Sequence, residues 1–150
     1  MKPYNAAFFS LFQNIFFILR ENFGEKQAIT LFTTTMEKGL KSAYGNDFVK
    51  GDPKSFVKTV GERDVNVGLE VKFKHVTEES FIYEFHTDPF PLLKNELPAV
   101  TIDATYMNFK VKYLLGPDWY YKTTKHLWNG DSCTQHVIYK APNDKNKPGI

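Results

Sequence analysis

Side chains capable of acid–base or nucleophilic chemistry concentrate in the second half of the sequence. Histidine exchanges protons near neutral pH, and a cysteine thiolate is a nucleophile, so either residue can carry a hydrolytic step. The side chains in question are His75, His86, Asp88, Asp103, Lys125, His126, Cys133 and His136. This distribution directs the search for a functional site to the C-terminal half.

His86 and Asp88 lie where a strand pattern gives way to a proline-containing loop. Side chains at such a junction are exposed but held by a rigid scaffold. One interpretation makes His86 or Asp88 a general base at the end of the sheet. Asp103 or Tyr106 would then approach from the following helix. The other interpretation makes Asp88 the cap of a turn before Pro89.

The last hairpin leaves two registers open for Cys133. A two-residue loop at Asn129-Gly130 pairs His126 with Cys133 as a thiolate–imidazole couple, whereas a loop that also includes Asp131 pairs Leu127 with Cys133. We favour the second register because it gathers apolar side chains on one face, and burial of one face fixes register. It predicts a Cys133 buried against the helices. That face would hold Trp119, Tyr121, Leu127, Cys133, Val137 and Tyr139.

No metal site and no cofactor are predicted. The spacing Cys133-x-x-His136 sends the two side chains to opposite faces of a strand, where they cannot share an ion. In the favoured register His136 joins His126 on a polar face that contacts water. A single cysteine excludes an intramolecular disulfide and multi-cysteine metal sites. The sequence also lacks a glycine-rich phosphate loop, a G-x-S-x-G motif and an H-E-x-x-H motif.

The elements that must position these residues follow from hydrophobic periodicity. Helical spacing predicts helices from near Asn5 to Gly24, from Glu25 to Tyr44, from Asp52-Pro53 to near Gly68, and from Pro98 to about Leu115. Alternating segments at 69–74 and 81–86, and at 119–128 and 132–140, predict two hairpins. The order ααα-ββ-α-ββ indicates a single α+β domain over residues 1–140, with helices on one face of a four-stranded antiparallel sheet. Residues 141–150 are expected to form a flexible tail.

Charge and hydropathy narrow the classes of partner. Lys+Arg 19 against Asp+Glu 17 gives a formal net charge of +2, and Arg20 and Arg63 are the only arginines, so no nucleic-acid partner is expected. The apolar N-terminal run is interrupted at Gln13-Asn14 and falls short of the ~18 residues of a membrane span. We expect no membrane partner, and a first helix that is buried or forms a homodimer. The lone cysteine favours a cytoplasmic location.

The C-terminal hairpin carries a G-x-x-C motif, Gly130-Asp131-Ser132-Cys133, before the last strand. With the long N-terminal helical region and a central hairpin over residues 68–88 that ends in a short polar stretch, residues 8–139 resemble the L-2-amino-thiazoline-4-carboxylic acid hydrolase-like family. Similar terminal glycine–cysteine hairpins occur in the 4-vinyl reductase family of small-ligand-binding domains. Where those hydrolases often have a cysteine after the second strand, this chain has His86-Thr87-Asp88.

The resemblance implies hydrolysis of a small cyclic carbon–nitrogen–sulfur compound. Water would add to a C=N carbon, a base would accept its proton, and an acid would protonate the departing nitrogen. His86 would be the base, Asp88 its orienting partner and Cys133 a further catalytic residue. The predicted substrate contacts are Asp103, Tyr106, His126 and Trp128. The alternative function is that of a non-catalytic small-ligand-binding or sensor domain with an apolar pocket between sheet and helices, which the aromatic residues would line.

Overall fold

The computed structural model describes residues 4–142, and over these residues the elements follow the predicted order. The α-helices are α1 (Ala6–Phe23), α2 (Glu25–Tyr44), α3 (Pro53–Asn66) and α4 (Ala99–Leu114). The strands are β1 (Val71–Lys74), β2 (Ser80–Phe85), β3 (Trp119–Lys125) and β4 (Thr134–Lys140). Short 3-10 helices occupy Pro91–Leu93 and Leu127–Asn129. The α+β fold is therefore confirmed, whereas most of the predicted tail, residues 143–150, lies outside the described residues.

The helix ends fall where the local sequence chemistry places them. The Asn5 side chain accepts a hydrogen bond from the Phe8 backbone N–H and so caps α1. Gly24, at φ 82°, turns the chain between α1 and α2 in a conformation that favours glycine. Asp52 accepts a hydrogen bond from the Lys54 N–H at 3.1 Å, and Pro53 occupies the first position of α3.

The four strands form one antiparallel sheet in the order β1-β2-β4-β3, and the helices cover one of its faces. We call the covered side the inner face and the other side the outer face. Because side chains alternate along a strand, Phe81, Tyr83 and Phe85 of β2 all point to the inner face, where they are buried. Phe56 of α3 packs on Phe81 with ring centroids 5.0 Å apart. The hydrophobic core therefore lies between this face and the helices.

The favoured register of the last hairpin is wrong for most of its length. Tyr121 pairs with Ile138 and Thr123 with His136, as in the two-residue-loop alternative. A β-bulge then shifts the register, so that Lys125 pairs with Gln135, as the favoured alternative requires. Each register thus holds on one side of the bulge. As a result, the inner face of β4 carries Thr134, His136 and Ile138, while Val137 and Tyr139 point outward.

Helix α1 is amphipathic, with one buried and one exposed apolar surface. Phe9 and Phe16 are buried, and Phe16 packs edge-on against Phe32 of α2 with ring centroids 5.8 Å apart. Leu11 and Ile18 stay exposed on the opposite side of α1. Among residues 4–142, none of the helices combines the length and the apolar character needed to cross a membrane.

The Asp52 cap provides a test of how α3 begins. Asp52→Ala is expected to lower the free energy of unfolding by about 1 kcal/mol, because the N–H of Lys54 loses its acceptor. The matched control is Asp47→Ala, which removes the same charge from an exposed position just upstream of α3 and is expected to change stability much less. Urea denaturation of both variants measures the difference. Equal losses of stability would argue against the cap.

Candidate functional site

Glu84, His86 and Cys133 form a cluster on the outer face of the sheet. Glu84 belongs to β2, His86 follows its last residue, and Cys133 directly precedes β4. The pairing of β2 with β4 brings these positions together although they are distant in sequence. His86 Nε2 lies 3.0 Å from Glu84 Oε2, and a ring nitrogen of His86, a carboxylate oxygen of Glu84 and the Cys133 sulfur all lie within 4.8 Å of one another. We call these three residues the outer-face cluster.

Glu84 is a buried carboxylate with a full set of donors. Gln135 Nε2 donates to its Oε1 at 2.8 Å, and Lys74 Nζ lies 3.1 Å from either oxygen. Burial by itself raises the pKa of Glu84, but the hydrogen bonds from His86, Gln135 and Lys74, together with the Lys74 charge, outweigh it and lower the pKa to about 2. Glu84 is therefore ionised at neutral pH and holds the neighbouring imidazole by an ionic hydrogen bond.

The position of Cys133 corrects the prediction that its side chain faces the helices. Cys133 is buried, but it lies beside Glu84 and His86 on the outer side of the sheet. His136, three residues later, points into the core, so the expectation that Cys133 and His136 face opposite ways is confirmed. The β-bulge explains the error. Residues 136–140 of β4 pair with β3 in the alternative register, and this turns Cys133 to the face opposite that of Trp119 and Tyr121.

The Asp88 carboxylate hydrogen-bonds to a turn and to the Trp128 indole, and not to His86. Its Oδ1 accepts from the Phe90 backbone N–H and its Oδ2 from Trp128 Nε1, both at 2.8 Å. This geometry matches the interpretation of Asp88 as a turn cap. The carboxylate in contact with the His86 ring is that of Glu84, a residue that the sequence analysis did not single out.

A second group of predicted residues meets on the inner face. Asp103 Oδ1 lies 3.2 Å from both His126 Nε2 and Tyr106 Oη, and Asp103 Oδ2 lies 3.2 Å from Thr123 Oγ1. His126 Nδ1 accepts from the Trp128 N–H at 3.0 Å, so Nε2 carries the proton given to Asp103. His126 is therefore buried with both ring nitrogens occupied, and the prediction that it lies on a water-exposed face is wrong. Asp88, Asp103, Tyr106, His126 and Trp128 line one cavity of about 10 Å³.

His136 lies in the core and not on the water-exposed face where the favoured register puts it. Its Nδ1 is 2.9 Å from Thr123 Oγ1 and its Nε2 is 3.3 Å from Tyr106 Oη. Burial lowers the pKa of His136 to about 4 in spite of the nearby Asp103 carboxylate. A buried neutral imidazole with both nitrogens paired serves the fold, since it satisfies polar groups that have no access to water.

No protein-family model matches the chain, and no curated protein matches its sequence. The resemblance to the hydrolase-like family and the activity that it implies therefore stay predictions. Of the predicted catalytic residues, the structure brings His86 and Cys133 together and places Asp88 with the predicted substrate-binding residues at the inner-face cavity.

A buried charged pair escaped the sequence analysis. Lys110 of α4 and Asp64 of α3 are both buried, 4.0 Å apart, and Tyr83 Oη hydrogen-bonds to both. The Lys110 ammonium also lies 5.1 to 5.3 Å from the ring centroids of Tyr83, Phe85 and Tyr106. Burial lowers the pKa of Lys110 to about 8, although Asp64 acts in the opposite direction. The signal was present, since Lys110 follows Tyr106 by four residues and Asp64 follows Val60 by four, on the buried side of each helix.

A large cleft lies among the helices. It measures about 1060 Å³ and is lined by Phe8 and Phe12 of α1, Met36 and Gly39 of α2, and Arg63 of α3. A cavity where the helices meet the sheet, beside Lys110 and Phe85, measures about 20 Å³, which is too small for the ligand pocket predicted between sheet and helices. Space of ligand size is therefore present between helices, on the far side of the core from the outer-face cluster.

The buried neutral state of His136 predicts a pH dependence of stability. Its pKa is about 4 in the folded protein and 6.5 ordinarily. Between pH 6.5 and about pH 4, His136 is therefore protonated in the unfolded chain but neutral in the folded chain. The free energy of unfolding is expected to fall by roughly 3 kcal/mol from this residue as the pH drops through that window. Denaturant titrations across the window measure it.

His136→Asn should remove this part of the pH dependence, and His75→Asn, at an exposed turn position, should retain it. Asparagine tolerates the positive φ of His75, so the control introduces no strain. Equal pH dependence in wild type and His136→Asn would contradict the prediction. A ring proton of His136 that titrates at the ordinary pKa in NMR spectra would contradict it without any variant.

Proposed function

We propose that the protein is a hydrolase of a small cyclic carbon–nitrogen–sulfur compound and that the outer-face cluster carries the reaction. The observation behind the proposal is the assembly of a carboxylate, an imidazole and a thiol within 4.8 Å. An imidazole held by an ionised carboxylate is the arrangement that a general base requires, because the carboxylate fixes the ring and stabilises its charged form.

His86 is the base in this proposal. With Nε2–H directed at Glu84, Nδ1 carries the lone pair that accepts a proton from water while the water oxygen adds to the C=N carbon. The imidazolium returns that proton to the substrate nitrogen, which completes the addition. The neutral imidazole then moves the remaining hydroxyl proton to the same nitrogen as the carbonyl forms and the carbon–nitrogen bond breaks, so the enzyme ends in its starting state. Glu84 stabilises the transient positive charge, and Cys133 lies next to the reacting atoms.

The charge of the outer face favours an anionic substrate. The edge strands β1 and β3 both present exposed lysines on this face, on either side of Glu84 and Gln135. Such a field attracts a small carboxylate toward the cluster. This supports a substrate that bears a carboxyl group, as the family resemblance implies. The lysines are Lys72, Lys74, Lys122 and Lys125.

The test is hydrolysis of 2-amino-thiazoline-4-carboxylate, with mass spectrometry to detect a product heavier by one water molecule. His86→Gln and Glu84→Gln are expected to lower kcat at least about 100-fold, because each removes a part of the base. Cys133→Ser tests the thiol. The control is His75→Asn, which removes an exposed histidine from the β1–β2 turn and should keep the wild-type rate.

Asp88→Asn distinguishes the two candidate partners of His86. A small effect is expected, since the Asp88 carboxylate contacts Trp128 and the Phe90 N–H. A loss as large as that of Glu84→Gln would return the orienting role to Asp88. No turnover by the folded wild-type protein, or full turnover by His86→Gln, would overturn the proposed hydrolase.

Ligand binding without catalysis is a second candidate function, supported by the cleft among the helices. Its wall combines the apolar Phe8, Phe12 and Met36 with charged side chains of both signs, a composition suited to an amphipathic ligand. The charged residues are Lys54, Lys58 and Arg63, and Asp47, Asp52 and Glu62. Gly39 lines the same cleft, and a Cβ built there meets no atom within 4 Å.

Gly39→Phe is therefore expected to place a ring in the cleft and to weaken binding of the amphipathic dye 1-anilinonaphthalene-8-sulfonate at least tenfold, as measured by fluorescence. The matched control is Gly39→Ala, which should leave the cleft open and stabilise α2 by about 0.5–1 kcal/mol. Equal dye binding by both variants would count against this site.

Two further features of the proposal concern assembly and location. Leu11, Ile18 and Phe23 of α1 are 60%, 57% and 55% exposed, and this apolar surface favours the predicted homodimer. The homodimer, the cytoplasmic location and the lack of a nucleic-acid partner stay predictions from the sequence.

A further inference from the structure

The three side chains of the outer-face cluster are also three metal ligands. Thiolate, imidazole and carboxylate together are a donor set that suits Zn²⁺ among the common biological divalent ions. We propose that Glu84, His86 and Cys133 bind one divalent ion of the zinc class through the Cys133 sulfur, a ring nitrogen of His86 and Oε2 of Glu84. This inference goes beyond the proposed function: it uses the same side chains but does not depend on the reaction.

The distances within the cluster suit a small contraction around an ion. Tetrahedral zinc, with metal–ligand bonds of about 2.0–2.3 Å, holds its ligand atoms about 3.5 Å apart. Glu84 Oε2 and His86 Nε2 are already 3.0 Å apart, and the Cys133 sulfur lies within 4.8 Å of one carboxylate oxygen of Glu84 and one ring nitrogen of His86. Side-chain rotations that move the Cys133 sulfur by roughly an ångström would bring all three ligand atoms to this spacing. The ion would replace the proton between carboxylate and imidazole.

The surroundings of Glu84 resemble the outer shell of a metal site. Gln135 Nε2 donates to Oε1 at 2.8 Å, which fixes the carboxylate and leaves Oε2 directed at His86. The His86 side chain is 23% exposed, so the ion has a path from solvent and a fourth position for water. A site with three protein ligands and an open position is the kind that catalytic zinc enzymes use.

The charged groups around the cluster have opposing effects on the binding of a cation. Lys74, 3.1 Å from the Glu84 carboxylate, competes with an incoming cation. Its side chain is 48% exposed and can turn into water, where its charge is screened. Two anionic ligands, from Glu84 and Cys133, neutralise the charge of the ion.

Zinc and hydrolysis are expected to exclude each other. Once a ring nitrogen of His86 and the Cys133 sulfur hold the ion, the proposed base is no longer free to accept a proton. Zn²⁺ should therefore inhibit the proposed activity in proportion to occupancy.

The experiment measures binding directly on the full chain under reducing conditions. Isothermal titration with Zn²⁺ should give one ion per chain, and Co²⁺ should produce a thiolate-to-metal charge-transfer band. Cys133→Ser should abolish that band, and Cys133→Ser and His86→Gln should each weaken Zn²⁺ binding at least tenfold. Lys74→Gln should strengthen it several-fold because a competing cation is lost. His75→Asn should bind as wild type does.

Absence of Zn²⁺ binding by the folded wild type, or binding unchanged in Cys133→Ser, would overturn the site. Circular dichroism confirms that each variant is folded before binding is compared. The two proposals fail separately. Zinc binding together with no turnover by the metal-free protein overturns the hydrolase alone, and turnover without zinc binding overturns the metal site alone.

Discussion

The β-bulge between Thr123 and Lys125 determines which side chains of the last hairpin meet the helices. Before the bulge, β3 and β4 pair so that His136 and Ile138 face the core. Without the extra residue, the side chains of β3 on one side of the bulge would change face. The regular pairing of β4 with β2 fixes the alternation of β4, so Cys133 and Gln135 lie on the outer side next to Glu84. The bulge lets β3 keep Tyr121 and Thr123 on the inner face beside β4, while Lys125 beyond it pairs with Gln135 on the outer side.

Polar side chains on the two faces of the sheet differ in their access to water. On the inner face, Asp103 pairs with His126, and the hydroxyl groups of Tyr106 and Thr123 connect Asp103 to His136. Removal of one partner would leave a buried group without a hydrogen bond. Lys110 is likewise confined between Asp64 and aromatic rings. On the outer face, the His86 ring keeps contact with water while Glu84 beneath it stays charged. Proximity to solvent, and not the number of titratable groups, distinguishes the candidate site from the core networks.

The sequence predicted the elements well because their ends depend on local chemistry. Asn5, Gly24 and Asp52-Pro53 act within a few residues of themselves, so their effects can be recognised without a partner. Register and site depend on pairing across the sheet. Glu84 was overlooked because an alternating strand pattern makes it one more polar outward residue. Its proximity to Cys133 arises only from the β2–β4 register. His136 was misplaced because one residue of bulge reverses a period of two.

The pairing of β2 with β4 also determines when the outer-face cluster can form during folding. Glu84 and Gln135, opposite each other in the sheet, are 51 residues apart in the chain, with α4 and β3 between them. Contacts inside each hairpin are local and form rapidly, whereas contacts between hairpins require closure of a long loop. His86 and Glu84 can therefore meet early, but Cys133 joins them only after the second hairpin docks on the first. Cys133 consequently becomes buried only when folding is complete. The rate at which it loses reactivity toward a thiol reagent therefore measures the rate of the last folding step.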